Sequence, residues 1–372
     1  MFRIFYAEKD TTLYESYPEY NTGLDEILEL GKRPGNNGTT LLKSRALLKF
    51  DMTEVSESLA KYSKTVNDCK FVLQLYTSHA KNLPSDYSVF AKLVGQDWVN
   101  GTGYLSSLTI DGASWSGSQS GSSWISSSQN VQIGSSTLYV SGSGTGGSFM
   151  FQSASGGSQS GLISSESFSY RTTDINMNVT NAVKVWLSGS GGSSIPNYGF
   201  LLQFSDADEL NSAVSGYVRY FSRETHTIYV PKLTMYWDNS AFTTGSLTAV
   251  DLDSYVVYTQ VKPQYKDTEV AKIRIYARDK YPQKSPTNLY PIETVKYLPA
   301  TTYYAVFDAQ TDEAIIPYDN IYNKVSCDST GNFIYIDMNG FMPERYYRLE
   351  LKIVNGFIEQ FVDDQIYFKV VR

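Results

Sequence analysis

Residues 135–153, SSTLYVSGSGTGGSFMFQS, set Gly142, Gly144 and Gly147 in a formal G-x-G-x-x-G, inside a Ser/Gly-rich tract from about 117 to 161. A phosphate-cradling loop, a flexible linker and a folded hairpin all fit this composition, and each implies a different protein. Element order decides against the first. A dinucleotide fingerprint needs strand, glycine turn and helix in succession, because the pyrophosphate sits at the helix N-terminus. Here the glycines are followed by SFMFQS, whose apolar residues alternate as in a strand. Gly/Ser runs are flexible by composition, but STLYV and SFMFQ put apolar residues on both sides of the glycines. The tract is therefore expected to be short strands joined by Gly/Ser turns, with a hairpin at its centre.

Outward from the tract, period two dominates. RALLKFDM (45–52) sets Ala46, Leu48 and Phe50 on one face, and KFVLQLYTS (70–78) sets Phe71, Leu73 and Leu75 opposite Gln74. YGFLLQF (198–204) and PKLTMYWD (231–238) repeat the pattern. Such alternation marks strands with one buried face. Helical spacing is rare. NVTNAVKVWLSG (178–189) aligns Val179, Val183, Trp186 and Leu187, with Asn178 or Thr180 as cap and Gly189 beyond the end. TEVSESLAKYSK (53–64) is a second short candidate. The polar stretch DNSAFTTGSLT (238–248) lacks periodicity, and beyond it five strand patterns run from AKIRIYARD (271–279) to QIYFKVV (365–371). Among them YYRLELKI (346–353) alternates cleanly, with Asn355-Gly356 as a hairpin turn. Tyr346 or Tyr347, shortly after Pro343, stands where an immunoglobulin-like sandwich has its tyrosine corner.

Composition agrees with sheets. Aromatic residues are 14% of the 372, 30 of them Tyr, and charged residues only 19%, which suits pleated, half-buried surfaces. A net charge of −7 without Lys/Arg runs excludes a nucleic-acid backbone as principal partner. No apolar run approaches the ~18 residues of a membrane span. Cys69 and Cys327 alone form neither a disulfide framework nor a metal-binding spacing. The opening MFRIFYAEKD lacks the apolar core of a secretory signal, so synthesis and use without Sec export are expected.

Blocks scattered over residues 5–238 resemble the DNRLRE-type, disaggregatase-related β-sandwich modules. DTTLYESYPEYNTGLDEILELGK (10–32) and SRALLKFDM (44–52) are similar to the opening of that family. DWVNGTGY (97–104) and DGASWSGSQSGSSW (111–124) are similar to its tryptophan segment. DINMNVTNAVKVWLSG (174–189), NYGFLLQF (197–204) and YFSRETHTIYVPKLTMYW (220–237) resemble its helix and closing strands. The hexapeptide that names the family is absent, and the insert from 125 to 165 is longer than usual. The resemblance implies a β-sandwich similar to carbohydrate-binding jelly rolls, of a kind also found in virion proteins of tailed phages. One fold hosts many functions, so it leaves the function open.

The inventory for catalysis is thin. His79 and His226 have no partner at a motif spacing, and no nucleophile-elbow, zinc-protease or P-loop pattern occurs. SDADEL (205–210) gathers Asp206, Asp208 and Glu209, oxygen ligands that either hold a structural calcium or form a solvated turn. Trp98, Trp115 and Trp124 lie near loops, where they either stack on sugar rings or fill a core.

The expectation is an all-β, non-enzymatic protein. A jelly-roll-like sandwich with one or two short helices spans 1–238 and carries the Ser/Gly-rich insert at about 117–161. A linker at 239–247 leads to an immunoglobulin-like sandwich at 248–372. The expected role is structural, in a tailed-phage virion, as head decoration or as a neck or tail accessory. Such a protein is made in the host cytoplasm and contacts other virion proteins in a homo-oligomer or multi-copy assembly, with no nucleic acid and no membrane span. The alternative is a carbohydrate-binding or adhesion module.

Overall fold

The computed structural model describes residues 1–35, 38, 40–126, 130–133, 136–141, 144–151, 163–169, 173–187 and 195–372. The chain is all-β: among the described residues 27 strands stand against three α-helices. Contacts divide it into two compact units, Phe5–Met235 and Tyr236–Arg372 together with Met1–Ile4.

In the larger unit an antiparallel sheet runs in the order Ile163–Ser169, Asp86–Leu93, Phe200–Phe204, Leu41–Lys49, Ile27–Pro34, Gly216–Phe221, Thr77–Lys81, and Lys9–Tyr14 also pairs with Leu41–Lys49. A second sheet follows the order Phe2–Tyr6, Lys232–Trp237, Cys69–Leu75, Ile175–Asn178, and the division between units passes through the first two of these strands. Each expected strand forms, but two are covered on both faces. Phe200–Phe204 and Lys232–Trp237 are buried at every position. Their polar positions are satisfied inside: Thr234 donates to Gln74 at 2.8 Å, and Gln74 donates to Asn176 at 3.1 Å. A paired polar side chain is tolerated in a core, whereas an orphan costs about 1–3 kcal/mol.

Both expected helices form, at Met52–Lys61 and Thr180–Leu187. Asp51 caps the first by accepting from the Thr53 N–H at 2.8 Å. In the second, Val183 and Trp186 turn inward, and the Trp186 ring lies 4.8 Å from that of Phe200. Gly189 lies outside the described residues.

The hairpin expected in the opening tract is present. Ser136–Ser141 pairs antiparallel with Phe149–Phe151, Ser141 standing opposite Phe149, and Asn130–Ile133 extends the ladder on the far side. The remainder of the tract, apart from Gly117–Ser126 and residues 144–148, lies outside the described residues.

The smaller unit holds two sheets. One runs Tyr255–Gln260, Val270–Asp279, Gly331–Asp337, Ser326–Asp328. The other runs Gln264–Lys266, Tyr367–Val371, Tyr346–Asn355, Thr302–Asp308, Ala314–Ile316, and its first pair is parallel. Strand Tyr346–Asn355 alternates as read, with Tyr347, Leu349, Leu351 and Ile353 buried. The turn beyond it is displaced by one residue. Asn355 closes the ladder opposite Ile358, so Gly356 and Phe357 form the loop, and Gly356 takes the positive φ of 61° that a two-residue hairpin needs. Residues 241–243 hydrogen-bond to strand Ser326–Asp328 and so belong to this unit.

Candidate functional site

After strand Asp86–Leu93 the chain leaves the sheet and wraps a local core. Trp98, Trp115 and Trp124, at most 8% exposed, converge there with Leu13, Leu47, Val94, Ala113 and Leu201. Each polar edge that the fold encloses finds a partner: Trp98 Nε1 donates to the Tyr198 carbonyl at 2.8 Å and Trp124 Nε1 to that of Ser114 at 2.9 Å. Cations cover two rings, with Lys9 Nζ 4.4 Å from the Trp98 centroid and the Arg45 guanidinium 5.3 Å from that of Trp115. A buried indole removes roughly 200 Å² from water, on the order of 5 kcal/mol at most. The three rings hold the loops to the sheet and present no open face.

A glycine of the opening tract takes part in this packing. Gly146, at φ +71°, donates its N–H to the Trp115 carbonyl at 2.6 Å, and a Cβ there would lie 2.8 Å from the indole ring. Arg45 in turn donates to the Gly146 carbonyl at 2.7 Å. Only a residue without a side chain fits that approach. Asn21, wholly buried, fixes the loops below. Its amide donates to the carbonyls of Asn100 (2.7 Å) and Ala113 (2.9 Å), and its oxygen accepts from Gly23 (3.1 Å) and Gly103 (2.9 Å).

The acidic segment is a short helix, Asp206–Leu210, capped by Ser205, which accepts from the Asp208 N–H at 3.0 Å. Cations from three separate strands fasten it. Lys92 reaches Asp206 at 3.0 Å, Arg45 grips both oxygens of Glu209, and Lys32 donates to the Asp208 carbonyl at 2.8 Å. Asp208 itself accepts from the Ser205 hydroxyl at 2.6 Å. The three carboxylates face different partners, and among the described residues no three His, Cys, Asp or Glu side chains group as metal ligands. His79 lies on strand Thr77–Lys81 with its ring 6.0 Å from Tyr217, and His226 is exposed, 3.7 Å from Glu26. Cys69 and Cys327 are buried free thiols, and burial raises the pKa of each. Among the described residues no helix is long and apolar enough to cross a membrane.

Exposed apolar side chains collect elsewhere, at one end of the smaller unit. Tyr281, Leu289, Tyr290 and Ile292 stand out from the connection between Val270–Asp279 and Thr302–Asp308, each more than 60% exposed. Phe357, Ile358 and Phe361 stand out from the hairpin that follows Tyr346–Asn355. Register places both groups at the same end. Tyr255 is opposite Asp279, and its hydroxyl donates to Gln360 of the hairpin at 2.6 Å. Thr301, where the connection re-enters the sheet, donates its hydroxyl to the Val354 carbonyl at 2.6 Å. The apolar residues of this end follow neither period two nor period 3.6 in the sequence; only YPQKSPTNLYPIE (281–293), polar and turn-rich yet carrying Leu, Ile and two Tyr, hints at it. No protein-family model, no curated protein and no solved structure matches the chain.

Proposed function

We propose that the chain is a non-enzymatic structural protein of a tailed-phage virion, a head decoration or a neck or tail accessory, that works through contacts with other virion proteins. The observation that carries this reading is the cluster of large exposed apolar side chains at the loop end of the smaller unit. Several large apolar side chains exposed at one end of a module mark a contact site, and Tyr and Phe make effective anchors because they bury much area for few rotatable bonds. Two features favour an immunoglobulin-like module as the carrier of that end. Its strand orders correspond to A-B-E-D against A′-G-F-C-C′, so Tyr281, Leu289, Tyr290 and Ile292 fall on the B–C loop and Phe357 on the turn after F, while Ile358 and Phe361 lie on the short strand Ile358–Val362 that pairs back onto F. The buried Tyr347 hydroxyl donates to the Met342 carbonyl, five residues upstream, at 3.0 Å, as in a tyrosine corner. The larger unit then serves as a jelly-roll-like platform.

The test is rebinding. Purified protein added to particles lacking it should occupy one fixed location in negative-stain images, and Phe357→Ser/Phe361→Ser should lower occupancy about tenfold or more while leaving the melting temperature unchanged. Absence of fixed binding by the unaltered protein, or equal occupancy by the variant, overturns the proposal.

A further inference from the structure

Asn-Gly occurs four times in the chain, at 37–38, 100–101, 339–340 and 355–356. This dipeptide can react with itself. The glycine nitrogen, unshielded by a side chain, attacks the asparagine Cγ and loses its proton; the Cγ–Nδ2 bond breaks, and that nitrogen leaves with the proton as ammonia. Water then opens the cyclic imide at either carbonyl, giving aspartate or isoaspartate. Ring closure needs an asparagine amide free to turn and a glycine N–H that the fold does not hold, so in a folded chain the reaction waits on local opening. Asn37 lies outside the described residues. The other three pairs differ in what restrains them.

Asn100 is held at both ends of its amide. Its Nδ2 donates to the Gly23 carbonyl at 2.9 Å, and its Oδ1 accepts from the Asp10 N–H at 3.1 Å. Gly101 is wedged against Asn21, where a Cβ would lie 2.3 Å from Oδ1. Asn339 and Gly340 belong to a turn pinned on two sides. The Asn339 N–H donates to Asp337 at 3.0 Å, the Phe341 N–H to the Met338 carbonyl at 3.3 Å, and Phe341 is buried. A Cβ on Gly340 would lie 2.7 Å from that of Ile4. Asn355 has no such restraint. Residues 355–359 are all exposed, and a Cβ on Gly356 would meet nothing within 4 Å. Among the described residues no hydrogen bond holds the Asn355 side chain. The Gly356 N–H lies in the loop, outside the ladder, and only the terminal pair of Asn355 with Ile358 has to fray for Asn355 to turn. Fraying at a hairpin end is nearly free, whereas releasing Asn100 breaks two partly buried bonds.

We propose that Asn355 is a self-modification site, converting without an enzyme to aspartate and isoaspartate, while Asn100 and Asn339 stay intact in the folded chain. Each product places a negative charge beside Phe357, and isoaspartate also adds a carbon to the backbone where the hairpin closes. Both changes fall in the apolar end of the smaller unit. The conversion is read as mass, however, so it and the proposed contact succeed or fail independently.

The test is incubation of the full chain at pH 8, with its peptides quantified by mass spectrometry at intervals. The peptide carrying Asn355 should convert at least about tenfold faster than those carrying Asn100 and Asn339. In urea sufficient to unfold the chain, the three should convert at similar rates. Asn355→Gln, whose longer side chain disfavours the ring, should stop conversion there at an unchanged melting temperature. Comparable rates at the three positions in the folded chain overturn the proposal. So does a lead of Asn355 that persists in urea, which would place the cause in its sequence neighbours and not in the fold.

Discussion

Asp10 is 2% exposed, in strand Lys9–Tyr14. Its Oδ2 accepts from the Arg223 N–H at 2.6 Å, and its own N–H donates to Asn100 at 3.1 Å. Burial is the main influence on the carboxyl and raises its pKa to about 7, with Glu224 adding to the rise and Arg223 opposing it. An unfolded Asp titrates near 3.9, so between about pH 4 and 7 the folded chain holds a proton that the unfolded chain has released. Stability from this group is complete below pH 4, falls as pH rises to about 7, and is then lost. Asp10→Asn removes the titration and keeps an acceptor for Arg223. Urea unfolding at pH 5 and pH 8 should show a smaller loss for the variant, which should exceed the unaltered chain in stability at pH 8 by on the order of 1–3 kcal/mol. Equal losses in the two would contradict the assignment. Nothing in the local sequence marks Asp10 as buried, because what encloses it comes from positions about 90 and 213 residues away.

The same separation limits what element-scale patterns reveal. In SDADEL the Ser205 cap and Asp208 three residues on are a local helix-start signal, yet the cations that hold it come from three strands, Arg45 and Lys92 at its carboxylates and Lys32 at the Asp208 carbonyl. A carboxylate cluster is thus legible in sequence, whereas its occupation by arginine and lysine is not. The hairpin of the opening tract was legible for the opposite reason, since its two strands are separated only by their turn. Arg45 joins these two elements: it pairs with Glu209, donates to Gly146 and lies over Trp115. Removing one partner of a buried pair strands the other charge, at about 3–5 kcal/mol. Arg45→Ala should therefore lower unfolding stability in urea by about 3 kcal/mol. Arg45→Met/Glu209→Leu, with the charge removed and the stem packing kept, should recover most of that loss. No recovery in the double variant would show that the pair is not what Arg45 contributes.

At the scale of the whole molecule, alternation was enough to give the all-β class, because strand faces repeat locally every two residues whichever sheet they join. The assignment of strands to units was not available in the same way, and the first four residues illustrate why. Met1–Ile4 belong to the unit formed by Tyr236–Arg372. Phe2 is wholly buried and meets Phe341 edge to face, with centroids 5.6 Å apart, and Arg3 lies 3.8 Å from the buried Asp337. Phe341 in turn packs on Tyr347 at 4.7 Å, the residue whose hydroxyl holds the Met342 carbonyl. An aromatic contact spanning more than 330 positions leaves no periodic trace in either segment, and the closing of so long a loop is an entropic cost that only a well-packed partner offsets. If that packing supports the smaller unit, Phe2→Ala leaves a cavity beside Phe341 and should destabilise it by about 3–5 kcal/mol. Amide hydrogen exchange checks this directly. Protection in Gly331–Asp337 and Tyr346–Asn355 should fall by about two to four orders of magnitude in the variant. Unchanged protection in both strands would mean that Phe2 is a passenger, and that residues 236–372 hold their two sheets together without it.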